Sequence, residues 1–203
     1  WYPNLGGGNF DPPKALFNGL PSPTNVNQTM LTDLDADGRI DYIYSTKTTT
    51  LTKVAWFRNL GNSTFDAEKP LVQMNHQGSY ATPYFTVFDA TLDGLPDLIV
   101  SDNYWNRFHL LPSAGNGKFG ASKVVYDESD FGDFFGVVGH DVDGDGRLDL
   151  VYGNRTENLN TQGYAQLSWL RNLHPQPVVP FAVSEKSATC SDNQTPADAH
   201  DDF

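Results

Sequence analysis

DVDGDGRLD, at residues 141–149, is the third copy of an acidic stretch that also occurs as DLDADGRID at residues 33–41 and, with changes, as DATLDGLPD at residues 89–97. The copies begin 56 and 52 residues apart, which marks a structural repeat. Each has aspartate at positions 1, 5 and 9 and glycine at position 6, where a residue without a side chain makes a sharp turn easiest. We call these stretches loops A (33–41), B (89–97) and C (141–149).

The loops carry oxygen ligands suited to a hard cation. Ca²⁺ takes about six to eight oxygens, and aspartates at positions 1, 3, 5 and 9 with the backbone carbonyl of position 7 can surround one ion. Loop B is expected to bind more weakly, because Thr91 at position 3 offers a neutral hydroxyl. The sequence thus predicts up to three Ca²⁺ ions, with these ligand residues: Asp33, Asp35, Asp37, Arg39 and Asp41 in loop A; Asp89, Thr91, Asp93, Leu95 and Asp97 in loop B; Asp141, Asp143, Asp145, Arg147 and Asp149 in loop C.

Short apolar runs surround each loop. LIV at residues 98–100 directly follows loop B, and similar runs follow the other two loops. Such runs between turn residues are typical of buried strands. A second motif, WFRNLGNSTF at residues 56–65, recurs at residues 1–10, 110–119 and, more loosely, 169–173; it combines a strand with a hairpin turn. With another strand ahead of each loop, one repeat holds about four strands in roughly 50 residues, the dimension of a propeller blade.

We therefore predict an all-β chain of β-propeller blades, each with four antiparallel strands, of which about three and a half are present as a partial propeller. No stretch combines helical periodicity with helix caps. The predicted divisions are residues 1–24 for the end of a preceding blade, residues 25–78, 79–130 and 131–185 for the blades with loops A, B and C, and residues 186–203 for an acidic, polar tail or linker. Propellers close with about four to eight blades, so the remaining blades are expected in a longer polypeptide or in a partner chain, for example a dimer of half-propellers.

This pattern resembles the FG-GAP/VCBS repeat family, the β-propeller repeats of integrin α-subunit heads, fungal lectins and many secreted proteins. Phe135-Gly136, ahead of loop C, matches the Phe-Gly element of that family. The resemblance covers about residues 25–185. It implies calcium binding by the aspartates at positions 1, 3, 5 and 9 of the loop between the first two strands of a blade. Because one fold hosts many functions, the resemblance indicates fold and metal better than activity.

Two other interpretations of the loops lead to different structures. An EF-hand needs a bidentate glutamate at position 12 and two flanking helices, but position 12 here is Tyr44, Val100 or Tyr152. Acidic surface turns without a metal remain an alternative, since aspartate is common in turns. Three or four clustered carboxylates would, however, repel one another unless a cation lay among them.

Composition and charge limit the partners and the cellular location that are expected. The net charge is −12 and eleven of the 25 acidic residues lie in the loops, so a basic surface for nucleic acid is not expected. No stretch is long and apolar enough to span a membrane, and Cys190 is the only cysteine, so no disulfide can form within these 203 residues. Calcium loops suit the millimolar calcium outside cells, which favours an extracellular or cell-surface, secreted glycoprotein. The predicted glycosylation sites are the four sequons at Asn27, Asn62, Asn154 and Asn193.

Three common catalytic motifs are missing from the sequence. Neither a Gly-x-Ser-x-Gly elbow, a His-Glu-x-x-His zinc motif nor a phosphate loop occurs, so no catalytic residue is predicted. We expect a calcium-binding module without chemistry of its own, acting in adhesion or in the assembly of a surface or matrix structure. Its expected partners are other blades and a protein or glycan ligand, with a homo-oligomer or fibre as a further possibility. The alternatives are a lectin and the non-catalytic propeller of a larger carbohydrate-active enzyme.

Overall fold

The computed structural model describes residues 2–15, 25–62, 64–75, 82–127, 132–156 and 164–173, which form fifteen β-strands and contain no helix. Three larger sheets share one plan, in which strands that follow one another along the chain lie side by side and antiparallel. We call these sheets blades 1, 2 and 3.

Blade 1 contains four strands and carries a small hairpin. Its strands are β3 (Val26–Thr32), β4 (Asp41–Lys47), β5 (Leu51–Phe57) and β8 (Lys69–Asn75), paired in that order. The hairpin between β5 and β8 consists of β6 (Asn59–Gly61) and β7 (Thr64–Phe65). A similar hairpin near the start of the chain consists of β1 (Asn4–Gly6) and β2 (Asn9–Phe10).

Blades 2 and 3 repeat this plan. Blade 2 contains β9 (Phe85–Phe88), β10 (Asp97–Asp102), β11 (Arg107–Leu111) and β12 (Lys123–Asp127). Blade 3, in the described residues, contains β13 (Gly132–His140), β14 (Asp149–Thr156) and β15 (Tyr164–Leu170). The prediction of an all-β partial propeller made of antiparallel blades is confirmed.

The blades are stacked face to face, and β10 shows how. All six of its residues are buried. Alternate side chains of a strand point to opposite faces of the sheet, and a neighbouring blade covers each face of this one. Leu98 and Val100 pack against blade 1, while Ile99 packs against blade 3. Blade 2 therefore lies between the other two, and residues 98–100 of β10 form a continuous apolar run in the sequence.

Each junction between blades has its own apolar core. Between blades 1 and 2 the core is formed by Leu34, Ile43, Val54, Trp56, Phe85, Leu98, Val100 and Leu111. The Gln28 side chain ties the first strands of these blades together, since its Nε2 donates to the carbonyl of Phe85 at 2.8 Å and its Oε1 accepts from the amide of Phe85 at 2.9 Å. Between blades 2 and 3 the core is formed by Phe88, Ala90, Ile99, Phe108, Leu110, Tyr126, Phe134, Val137, Leu150, Tyr152 and Leu170.

The face of blade 3 that points away from blade 2 is apolar and open to solvent in the described structure. Leu167 is 69% exposed, Val138 54% and Phe135 45%. In cross-strand register Leu167 pairs with Gly153, just as Val54 pairs with Ser45 in blade 1 and Phe108 with Ser101 in blade 2. Val54 and Phe108 are fully buried by the following blade. Leu167 therefore occupies the position at which a further blade would pack.

Candidate metal centre

Each acidic loop joins the first strand of a blade to the second. Position 1 comes directly after the first strand, and position 9 is the first residue of the second strand. Loop A lies between β3 and β4, loop B between β9 and β10, and loop C between β13 and β14. The sheet thus fixes both ends of the loop in the same way in all three blades.

The aspartate at position 1 closes the loop through backbone amides. In loop A, Asp33 Oδ1 accepts a hydrogen bond from the amide of Asp37 at 3.0 Å, and its Oδ2 accepts one from Gly38 at 2.8 Å. Asp89 and Asp141 accept from the amides of positions 5 and 6 of their own loops in the same way. A carboxylate oxygen has a second lone pair, so these bonds leave position 1 able to bind a cation.

The aspartate at position 9 connects the loop to the third strand of its blade. Asp41, Asp97 and Asp149 are all completely buried. In each, Oδ2 accepts from the amide of position 2, at 3.1, 2.9 and 3.0 Å in loops A, B and C. The other oxygen, Oδ1, accepts from the amide of the second residue after the third strand, at 2.7, 2.7 and 2.8 Å. Position 9 therefore has a structural role, and its role as a metal ligand stays a prediction.

The carboxylates of positions 1, 3 and 5 converge in loops A and C. In each loop the three aspartates offer oxygens that lie within 4.8 Å of one another, and position 9 is not part of either group. Among the described residues, loop B forms no such group, since Thr91 takes the place of the carboxylate at position 3. The structure thus brings together three of the four predicted aspartates in two of the three loops.

Asp35 is the member of the loop A cluster with the most unusual surroundings. Its side chain is only 1% exposed, and its Oδ2 contacts Nε of Arg58. Among the described residues, no backbone amide donates to either of its oxygens, and the ion pair with Arg58 offsets its charge. A buried carboxylate beside two other carboxylates, with a guanidinium as its partner, fits a position at which a cation can be coordinated. The donor set, hard oxygens alone, fits Ca²⁺.

Burial and neighbouring charges shift the pKa values of two aspartates in loop A. Burial raises the pKa of Asp41 to about 6; the amides of Asn59 and Leu34 oppose this rise, and the negative charges of Asp35 and Asp37 add to it. Burial also raises the pKa of Asp37, but its contacts with Arg39 and Arg58 outweigh this and lower the pKa overall. A cation in the loop would favour the ionised form of every one of these carboxylates.

Two arginines that the sequence pattern did not single out belong to these clusters. Arg58 follows β5, and its Nη2 lies 3.0 Å from Asp37 Oδ2, while its Nε contacts Asp35. Arg171 follows β15, and its Nη2 lies 3.5 Å from Asp145 Oδ2, while its Nε contacts Asp143. The sequence could have indicated both arginines by their shared position, which is two residues after the tryptophan of the WFRNLGNSTF motif and of its copy at residues 169–173.

The profile of the FG-GAP-like repeat matches the chain at residues 33–100 and again at residues 89–152. Each match begins at the first aspartate of an acidic loop and extends into the second strand of the next blade. Together the matches cover more than half of the 203 residues. The chain belongs to the FG-GAP-like repeat family. No curated protein sequence matches this FG-GAP-like chain significantly.

The three FG-GAP-like loops share a backbone conformation at position 4 as well as at position 6. The φ angles at position 6 are 85°, 83° and 84°, all at glycine. At position 4 they are 59° for Ala36, 59° for Leu92 and 76° for Gly144. Left-handed backbone costs a residue with a Cβ roughly 1–2 kcal/mol. Loops A and B therefore contain strain at position 4 that loop C avoids.

Replacing Ala36 with glycine is expected to raise the free energy of unfolding by about 0.5–1 kcal/mol, because the gain from relieving the left-handed alanine exceeds the greater flexibility of glycine in the unfolded chain. Thermal unfolding monitored by circular dichroism would measure the change. Ala67→Gly is the matched control, since Ala67 is also exposed but has a negative φ. An Ala36→Gly protein that is as destabilised as Ala67→Gly would show that position 4 is unstrained.

The predicted glycosylation sites differ in their surroundings. Asn27 and Asn62 are exposed, the second at the β6–β7 turn with a φ of 50°. Asn154 lies in β14 and is only 4% exposed, so a glycan there is incompatible with the packing of blade 3. Asn193, with Cys190 and the predicted tail, lies outside the described residues.

Proposed function

We propose that this FG-GAP-like chain is an extracellular calcium-binding β-propeller module that serves adhesion or assembly and has no chemistry of its own. The main observation behind the proposal is the convergence of three carboxylates in loops A and C, together with the burial of Asp35, which pairs with Arg58 and receives no hydrogen bond from a backbone amide of the described residues. Clustered carboxylates that cannot pair fully within the protein are stabilised by a divalent cation.

The residues that would hold calcium follow from the clusters. In loop A these are Asp33, Asp35 and Asp37, and in loop C they are Asp141, Asp143 and Asp145. The backbone carbonyls of Arg39 and Arg147 at position 7 would add a further oxygen in each loop. Loop B, with Asp89, Asp93 and the Thr91 hydroxyl, would bind more weakly. Bound calcium would cancel like charges that otherwise repel, and so couple metal binding to stability.

No helix among the described residues is long and apolar enough to cross a membrane. An extracellular setting and a role in adhesion are supported by two features. Sites built from a few carboxylates on surface loops suit the millimolar calcium outside cells. The outer face of blade 3, with Leu167, Val138 and Phe135 exposed, offers an apolar surface for another blade, in the same polypeptide or in a partner.

Carbohydrate binding is a second candidate, and one loop favours it. Trp105, in the turn between β10 and β11, is 56% exposed and lies edge-on to Tyr104, with ring centroids 4.9 Å apart. Exposed aromatic rings of this kind can stack on sugars. The guanidinium of Arg107 already lies 5.7 Å from the centre of the Trp105 ring, which restricts one approach. A glycan array with wild-type protein and a Trp105→Ala variant would distinguish a lectin from an assembly module.

Removing calcium is expected to lower the melting temperature by about 4–8 °C. At 2 mM calcium, two sites with dissociation constants of roughly 0.5 mM would each stabilise the fold by about 1 kcal/mol, and 1 kcal/mol corresponds to about 2–4 °C for a protein of this size. Melting in 2 mM CaCl₂ and in EDTA, together with calcium titration calorimetry, measures both quantities.

Matched controls distinguish the effect of calcium binding on melting from the effects of a substitution on the fold and of general charge screening. Asp35→Asn is expected to weaken the loop A site and to reduce the effect of calcium on melting, whereas Asp93→Asn in loop B is expected to change it little. Magnesium at the same concentration controls for general screening of the −12 net charge. A melting temperature that is the same in calcium and in EDTA, with no heat of binding, would contradict the proposal.

A further inference from the structure

Arg58 and Arg171 contact their acidic loops in the same way although they belong to different blades. Each is the first residue after the third strand of its blade. In each case Nε contacts the aspartate at position 3 and Nη2 approaches Oδ2 of the aspartate at position 5. The neighbouring residues Asn59 and Asn172 donate their amides to position 9. The equivalence of the two arginines is therefore one of structure as well as of sequence.

Loop B provides a comparison within the same molecule. Its position 3 is Thr91 and not aspartate. The first residue after its third strand is Pro112, and the next, Ser113, donates its amide to Asp97 as Asn59 does to Asp41. Pro112 carries no charge. Within this chain, then, the arginine occurs in the two blades whose position 3 is acidic and is absent from the blade whose position 3 is neutral.

The arginines and a calcium ion would use the same oxygens. In loops A and C, Ca²⁺ would need the carboxylates of positions 3 and 5 at about 2.3–2.6 Å, and the guanidinium groups contact those carboxylates. Arginine is not deprotonated in proteins, so Arg58 and Arg171 cannot give up their charge to make room for the ion. A guanidinium and a divalent cation on one pair of carboxylates repel each other.

We propose that Arg58 and Arg171 are built-in counter-cations, which hold loops A and C together without calcium and must leave the carboxylates of positions 3 and 5 when an ion binds. This inference rests on the calcium binding proposed above. The arginine side chains are 33% and 44% exposed, so they can move into solvent without disturbing a core. The hydrogen bonds that backbone amides donate to the aspartates of positions 1 and 9 do not involve the arginines. These bonds can hold the loop both with and without calcium.

Arg39 and Arg147, at position 7, differ from this pair. Each contacts the aspartate at position 5 of its own loop. Arg39 Nε also donates to the carbonyl of Asn59 at 2.9 Å, which holds it beside the loop. The displacement by calcium is assigned to Arg58 and Arg171 because each bridges the aspartates of positions 3 and 5.

The test compares Arg58→Gln and Arg171→Gln with wild type by calcium titration calorimetry and by melting in EDTA and in calcium. Each variant is expected to bind calcium about fivefold to tenfold more tightly at its own loop, because the ion no longer displaces a cation. Each is also expected to melt about 2–4 °C lower than wild type in EDTA, with the difference reduced or reversed in saturating calcium. Arg107→Gln is the matched control, since Arg107 pairs with Asp127 away from the loops and should leave calcium affinity unchanged.

A second variant tests the inference by gain of a site. Thr91→Asp gives loop B a third carboxylate beside Pro112, with no competing arginine. Its new site is expected to bind calcium more tightly than the wild-type loops A and C, and Thr91→Asp combined with Pro112→Arg is expected to weaken it again. This pair does not depend on removing an ion pair from the folded protein.

The outcomes separate the two proposals. If wild type binds calcium and the glutamine variants bind it equally or more weakly, the arginines do not compete with the ion; the present inference is then overturned while calcium binding stands. If neither wild type nor any variant, Thr91→Asp included, gives a heat of binding, both proposals are overturned. Tighter binding by the glutamine variants together with lower stability in EDTA supports the inference, because a merely structural arginine would not raise calcium affinity.

Discussion

Phe108→Ala is expected to lower the free energy of unfolding by about 3–5 kcal/mol, the range for a large aromatic residue removed from a packed core. Phe108 is completely buried at the junction of blades 2 and 3. Its ring stacks on Phe134 with centroids 4.3 Å apart and meets Tyr152 edge-on at 5.0 Å. Alanine would leave a cavity that rings held by two separate sheets cannot easily close, so the variant should loosen blade 3 from blade 2.

Urea unfolding followed by tryptophan fluorescence and by circular dichroism would measure this loss. Phe135→Ala is the matched control, because Phe135 is the neighbour of Phe134 in β13 but is 45% exposed on the opposite face. It is expected to cost less than about 1 kcal/mol. If the blades lose their cooperativity, the Phe108→Ala transition would broaden or split in two. Equal losses for the two variants would show that the junction between blades 2 and 3 contributes little to stability.

The architecture was predictable because the acidic loops recur at fixed spacing and sit at a fixed place in each blade. Position 9 begins the second strand in all three blades, so one short motif locates two strands and the turn between them. The side chains of residues 98–100 point alternately into the two junctions between blades, and all three are apolar for that reason. The exposed apolar face of blade 3, which includes Leu167, could not be predicted, because the direction of each side chain depends on the pairing register of the strands.

The site was predictable only in part, because several of its features depend on contacts between distant residues. Asp35, Asp37 and Arg58 meet only once β4 and β5 have paired. The two carboxylate oxygens of Asp41 join a loop amide to an amide that comes 18 residues later. The left-handed φ of Ala36 could not be recognised from an alanine, which normally avoids that conformation.

Asp97→Asn is expected to lower the free energy of unfolding by about 3 kcal/mol, which would separate the structural role of position 9 from metal binding. Asp97 is completely buried. Its Oδ2 accepts from the amides of Ala90 and Thr91, both at 2.9 Å, and its Oδ1 accepts from the amide of Ser113 at 2.7 Å. Asparagine has one acceptor oxygen and one NH₂ group, which only donates. At least one buried backbone amide would therefore face an N–H group and lose its partner, at a cost of about 1–3 kcal/mol beyond the hydrogen bond itself.

The charge of Asp97 works against this loss and limits it. Burial raises the pKa of Asp97 although the amides of Ser113, Thr91 and Ala90 lower it, so removing the charge recovers part of the desolvation cost. The loss should be nearly the same in EDTA and in calcium, because loop B, which lacks the third carboxylate, is expected to bind calcium only weakly. Asp93→Asn is the control, since Asp93 is exposed and its Oδ1 accepts from the amide of Leu95 within the same loop; it should cost less than about 1 kcal/mol. A loss of stability for Asp97→Asn that appears only in calcium would mean that position 9 acts chiefly as a metal ligand. Equally small losses of stability for both variants would mean that the hydrogen bonds from backbone amides to Asp97 do not hold the blade together.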